Sequence, residues 1–126
     1  MISNYYTEIR LEAHECKRSL NAIDDALYVI GGKWKLRIIA TLSDGSHRFN
    51  ELQRAVKGIS ARVLSNELKD LELCGLVERR LSAQKPFVAE YILTDYSLTL
   101  KDVLASLNGW GAMHRERIKQ SLADQQ

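Results

Sequence analysis

Arg62, Ser65, Asn66 and Lys69 bring a guanidinium, a hydroxyl, a carboxamide and an ammonium onto one stretch, residues 58–75, GISARVLSNELKDLELCG. Such groups exchange hydrogen bonds and carry positive charge, so the chemistry they suit is recognition of a polar, anionic surface. A helix is what would gather them. Leu64, Leu68 and Leu71 recur at the spacing of a single buried stripe, which leaves the four polar residues on the faces away from it. Gly58 opens a turn, Ser60 can cap the amides of the new helix, and Gly75 can take the left-handed conformation that ends it. A shorter helical run, residues 50–56, precedes it across the Lys57-Gly58-Ile59 turn, and two strand-like runs follow. Helix, turn, helix, hairpin is the order of a winged helix-turn-helix, and it makes the stretch a recognition helix whose outer face enters a DNA major groove. An ordinary solvated helix face carries the same residue types, and helix chemistry alone favours that simpler account. The order of elements, with cations at each place that would meet a duplex, moves the balance.

No comparable constellation points to catalysis or metal binding. His14 and Cys16 stand two apart, which on a helix puts them on nearly opposite faces, and neither they nor Cys74 and His114 have the spacing of a zinc site. Gly31, Gly32 and Lys33 lack the long glycine-rich frame and the hydroxyl of a phosphate loop, and serve better as a helix stop. Serine, histidine and acid are present, but nothing places them together. The expectation is therefore a protein that is not an enzyme, with no cofactor and no metal.

The elements that would hold the recognition stretch come from the rest of the 126 residues, a length that suits one domain, 1–126. A single proline and seven glycines argue for a helix-rich fold without long loops. The formal charge of +2 is too small to indicate a polyanion partner. Its distribution is more telling: residues 46–85 hold eight Lys or Arg against five Asp or Glu, and the remainder ten against eleven. Two cysteines without a CxxC pair, an acidic start at Glu8, Glu12 and Glu15, and no long apolar run point to a reducing, cytoplasmic setting and no membrane.

Along the chain, Ile2, Tyr5, Ile9, Ala13, Cys16 and Leu20 step by three or four, an amphipathic helix over residues 1–20. Asn21 caps the next helix, with Asp24 and Asp25 in its first turn and Ile23, Ala26, Leu27 and Ile30 on its buried side. Gly31 and Gly32 stop it, and residues 34–42 form a further apolar helix ending at Asp44-Gly45-Ser46. Asn50 and Gln53 make a capping-box pattern for the short helix. Residues 76–81 and 87–93 flank residues 82–86 as a hairpin, the wing. Arg79, Arg80 and Lys85 put cations on the wing or at its tip, for phosphate contact or, equally well, as solvated edge charge.

From residue 94 onward helical spacing returns, with Leu100, Val103, Leu104, Leu107, Trp110 and Ile118 along one side. That stripe exceeds what a small winged domain can cover. Gly109 and Gly111 suggest a place where another helix comes close, and residues 123–126 form a polar tail that should fray. The first helix and the last, residues 95–122, are therefore expected to pack across a two-fold axis as dimerisation elements. Packing of both within one chain is the alternative.

In ALYVIGGKWKLRII, RFNELQRAVKGIS, VLSNELKDLELCGLVER and EYILTDYSLTL, in that order and spacing, the chain resembles the HxlR-type winged helix transcriptional regulators, a MarR-like bacterial family. The resemblance spans residues 23–110 and implies a homodimer with paired recognition helices and wings controlling a nearby gene. By position it puts Ser60, Arg62, Ser65, Asn66 and Lys69 on the DNA-facing side, with Arg48, Arg79 and Lys85 near phosphate. Arginine can pair bidentately with guanine and asparagine with adenine, while a serine hydroxyl suits phosphate. Many members open the core helix with a Cys-Pro pair that senses oxidants; Asn21 and Ala22 stand there here, so no thiol sensor is implied, and Cys16 reads as a small buried hydrophobe. Ser97 stands where the family usually has glycine.

The expected architecture is mainly α with a small β-hairpin, and the expected partners are double-stranded DNA and a second copy of the chain. A protein-interaction module whose basic face is merely solvated is the competing function. A small-molecule effector is the weaker expectation: an apolar pocket holding Tyr5, Tyr28, Trp34 or Trp110 competes with plain core packing of the same aromatics.

Overall fold

The computed structural model describes the backbone of residues 13–125 and the side chains of residues 21–125. The stripe over residues 2–20, with Tyr5, His14 and Cys16, lies outside the described side chains. Five helices, three short strands and one 3-10 turn make up the described chain: α1 (Ala13–Ile30), α2 (Lys35–Leu42), β1 (His47–Arg48), α3 (Phe49–Ala55), α4 (Ala61–Leu73), β2 (Val77–Leu81), β3 (Ala89–Leu93), the turn Asp95–Leu100 and α5 (Lys101–Asp124). The architecture is a winged helix-turn-helix, mainly α with a small antiparallel sheet.

Two expectations about the first helices are corrected. Asn21 is no cap, because α1 runs unbroken through it to Ile30. Leu20, Asn21 and Ala22 include neither glycine nor proline, and an interior asparagine costs a helix less than about 1 kcal/mol relative to alanine. Nor do Ile23, Ala26 and Leu27 form a buried side: all three are exposed, and only Ile30 enters the core. The Gly31 amide closes the helix on the Leu27 carbonyl at 2.7 Å, and Gly32 turns the chain with a φ of 90°.

The core forms where α2, α3 and α4 meet the base of the sheet. Ile38, Ile39 and Leu42 from α2, Leu52 from α3, Leu64, Leu68 and Leu71 from α4, and Leu76 and Val77 leading into β2 are all buried. Trp34 props the turn between α3 and α4, its ring 3.8 Å from the point where a side chain on Gly58 would begin. Gly58 has a φ of 88°, so the turn itself also favours glycine there.

The short helix begins earlier than its sequence suggested. Arg48, not Asn50, is the residue before its first turn, and the Glu51 carboxylate accepts from the Arg48 amide at 3.2 Å. Starting the helix at Phe49 lets His47 and Arg48 pair with Tyr91 and Glu90, adding a strand to the hairpin in the order β1-β3-β2. In the hairpin Val77 pairs with Leu93 and Leu81 with Ala89, so Phe87 falls outside the strand that was expected to include it. At the far end the 3-10 turn precedes α5, with Ser97 buried and its hydroxyl donating to the Thr94 carbonyl. The helix itself continues to Asp124, two residues into the tail of 123–126 that was expected to fray.

Candidate nucleic-acid interface

Both ends of α4 are fixed by side chains and turns that the sequence specifies. The Ser60 hydroxyl accepts from the Val63 amide at 3.2 Å, satisfying one of the free donors of the first turn. At the other end Gly75 adopts a φ of 77°, its amide bonding to Glu72 at 3.0 Å while the Leu76 amide bonds to Leu71 at 2.9 Å, the paired closure of a Schellman motif. The Thr94 hydroxyl donates to the Gly75 carbonyl, which ties the end of β3 to this closure.

A third restraint crosses from α2. The Lys35 ammonium, on a side chain only 14% exposed, lies 3.2 Å from a Glu67 carboxylate oxygen and 3.6 Å from one of Asp70. Burial pulls its pKa down, but hydrogen bonds and charge from Glu67 and Asp70 outweigh that and raise it above lysine's ordinary 10.5. Lys35 thus holds two carboxylates on the flank of α4, Glu67 toward the core and Asp70 exposed at the edge of the outward face. Sequence reasoning missed it, since its partners are more than thirty positions away and nothing in the local pattern announces them.

The outward face carries the expected residues. Arg62, Asn66 and Lys69 are exposed and Ser65 is half-buried at its edge. Among the described residues Arg62 and Lys69 have no carboxylate within ion-pair reach, whereas the only lysine on the inner flank, Lys35, has two. Leu64, Leu68 and Leu71 hold the opposite side in the core.

On the wing the cations differ. Arg79 and Arg80 project to opposite faces, as neighbours on a strand must. Arg80 pairs with Glu78 at 3.4 Å and stands opposite Glu90 in the ladder, so its charge is largely matched within the sheet. Arg79 stands opposite Tyr91, whose phenol is pushed above its usual range by burial, an effect Arg79 partly counters. Arg48 lies 4.0 Å from Glu51, both side chains about half exposed. Lys85 is exposed in the loop and, with Arg79, meets no carboxylate among the described residues.

Among the described residues Tyr28, Trp34 and Trp110 do not share one cavity, and Tyr5 lies outside them. Tyr28 borders a cavity of about 270 Å³ with Lys35, Asp70, Leu73 and Cys74, to which neither Trp34 nor Trp110 contributes. Trp34 instead lies beneath Lys33 and Arg37, whose charged groups stand 4.7 and 5.5 Å from its ring centre, and Trp110 stacks on His114 along α5. Among the described residues no cluster of His, Cys, Asp and Glu could hold a metal, and no helix is long and apolar enough to cross a membrane.

A helix-turn-helix whose second helix is fixed at both ends, uncovered on its cationic side and followed by a hairpin that β1 extends to three strands defines the winged helix-turn-helix class. Within that class the HxlR-like helix-turn-helix family pattern matches residues 29–119, and this chain belongs to that family of transcriptional regulators. The HTH-type transcriptional regulator YtcD of Bacillus subtilis (strain 168) is 36% identical over 104 residues, 82% of either chain. Among solved structures the chain is similar to the redox regulator HypR in its reduced form, with a TM-score of 0.72 and 35% identity over 79% of this chain and 98% of that one. A transcriptional regulator of the MarR family from Enterococcus faecalis V583 is similar too, with a TM-score of 0.68 and 38% identity over 80% and 92%.

Proposed function

We propose that the chain is a sequence-specific DNA-binding regulator that works in the cytoplasm as a homodimer on a pseudo-palindromic operator. The observation that carries this reading is the outward face of α4, where Arg62, Asn66 and Lys69 stand exposed, the two cations without a carboxylate partner among the described residues, while the core holds the helix from behind. Arg62 and Asn66 read base edges in the major groove, and Ser60, Ser65 and Lys69 fix the helix against the backbone. Arg48, Arg79 and Lys85 meet phosphate from the wing side, with Arg80 the lesser contributor because Glu78 shares its charge.

The homodimer rests on α5. Among the described residues none of its twenty-four is buried, although Val103, Leu107, Trp110, Met113, Ile118 and Leu122 recur along it at steps of three to five. Exposed apolar residues on that scale mark an interaction surface, and Ile23, Leu27 and Tyr28 on α1 extend it. A second copy covering both would join two domains through α5 and the exposed side of α1 and leave the two α4 faces free. Two recognition helices about one duplex turn apart, or a multiple of it, require a symmetric site. The test is a gel shift at moderate salt, first with the DNA flanking its own gene and then with fragments selected from random sequence. Retardation of selected fragments against a mixed-sequence competitor supports the reading; equal binding of all sequences, or none by an intact dimer, contradicts it.

A further inference from the structure

The cavity that Tyr28 borders lies where α1, α2 and the end of α4 meet, and none of the residues assigned to DNA lines it. Its walls are Tyr28 from α1, Lys35 from α2, and Asp70, Leu73 and Cys74 from the last turns of α4, around about 270 Å³. The two large apolar walls are uncovered, Tyr28 being 85% exposed and Leu73 86%. A phenol ring and a leucine brought together from two helices around a space of this size suit a ligand with a single ring or a short alkyl body.

Charge says what else the ligand carries. Lys35 is the only cation lining the cavity among the described residues, and its ammonium is already committed to Glu67 at 3.2 Å and Asp70 at 3.6 Å. One ammonium against two carboxylates leaves one negative charge in excess. Asp70 is the member that lines the cavity, and its side chain is 57% exposed against 23% for Glu67. Asp24, exposed and one helical turn before Tyr28, adds a second negative charge on that side of α1. An anion would meet Asp70 with no free cation to offset it. A cation with a carbon body answers every wall: its charge takes the open side of Asp70 and the face of the Tyr28 ring, and its body covers Leu73.

We propose that this cavity is an effector site for a small organic ammonium ion, held between Asp70 and the Tyr28 ring. Ligand and Lys35 then compete for Asp70, one of the two carboxylates by which α2 restrains the flank of α4. Occupancy loosens that restraint, so ammonium binding and duplex binding oppose each other, each weakening the other by the same factor. The consequence for DNA rests on the DNA-binding reading; the binding of the ammonium does not.

The probe is benzylammonium, one ring and one charge, set against benzyl alcohol and benzoate, which keep the ring and change the charge. Each is titrated into the full chain without DNA at constant ionic strength and followed by backbone amide NMR shifts. Benzylammonium is expected to bind saturably, with shifts centred on Tyr28 and residues 70–75, and the other two compounds to bind at least about tenfold more weakly. Asp70→Asn should weaken benzylammonium about tenfold, and Tyr28→Leu, a change on an exposed side chain that leaves the fold intact, about threefold. Asp44→Asn, at the far end of α2, should change nothing. Saturating benzylammonium should weaken binding of a mixed-sequence duplex about fivefold relative to sodium at the same ionic strength, and should not do so in Asp70→Asn. No saturable binding, equal affinity for the three compounds, wild-type affinity in both Asp70→Asn and Tyr28→Leu, or duplex binding indifferent to the probe overturns the inference and leaves the DNA-binding reading intact. Failure to bind any duplex by a protein that still takes benzylammonium would remove that reading instead.

Discussion

At the scale of single residues, charge pairing distinguishes cations that look alike in sequence. Arg79 and Arg80 are adjacent, yet Arg80 faces Glu78 at 3.4 Å and Arg79 faces no carboxylate. Arg79→Ala should weaken binding to all sequences alike and lower the salt slope by about one, and Arg80→Ala should change it less; equal slopes for the two would refute the distinction. Arg62→Ala should instead relax base preference, by about 1–3 kcal/mol of discrimination at one position, as read by competition among mismatched operators. Lys35 makes a prediction about pH. Its pKa is raised in the fold, so its ion pairs contribute stability that is present below the ordinary value of 10.5 and lost as the pH rises through the folded value. The Tyr91 phenol, also raised, acts in the same direction, because the fold favours its neutral form. Denaturant titrations should show Lys35→Met less stable than wild type at neutral pH by about 1 kcal/mol, the gap closing above the lysine range. A gap that persists unchanged at high pH would mean packing, and not charge, is what Lys35 supplies.

At the scale of elements, what could be read in advance follows from whether the cause was local. The recognition helix was legible from Ser60 to Gly75 because its cap, its stripe and its closing glycine lie within one stretch, and each does what its chemistry favours. β1 was not legible: two residues, His47 and Arg48, carry no alternating pattern and become a strand only because β3 lies beside them. The capping box failed for a related reason. Asn50 and Gln53 satisfy the pattern, but pairing of Arg48 with Glu90 fixes the helix start two residues earlier, where Glu51 can reach. Lys35 was invisible as a positioning residue because Glu67 and Asp70 come to it only through tertiary packing. α5 makes its own prediction. Among the described residues nothing lies within 4 Å of a side chain added at Gly109 or Gly111. By helical spacing Gly111 borders the stripe of Leu107, Ile118 and Leu122 and Gly109 lies on the far side. Gly109→Ala should therefore stabilise the protein by roughly 1 kcal/mol, whereas Gly111→Ala should loosen the dimer, measured by sedimentation. Identical gains from both would place Gly111 outside the interface.

At the scale of the molecule, the described chain has a well-filled core around α2, α3 and α4 and two helices that this core does not cover. That core holds α4 rigid, but among the described residues nothing hides the stripe on α5. In the proposed homodimer the uncovered stripe would set the distance between two copies, and the covered core the angle of each recognition helix. The most direct measurement is hydroxyl-radical footprinting of a selected fragment with the wild-type protein and with Trp110→Glu, which puts a charge on the α5 stripe. Wild type should protect two patches of matching shape about one helical turn apart or a multiple of it, and Trp110→Glu should bind weakly with that symmetry lost. A single patch from wild type, or the same paired protection from both proteins, would contradict the account.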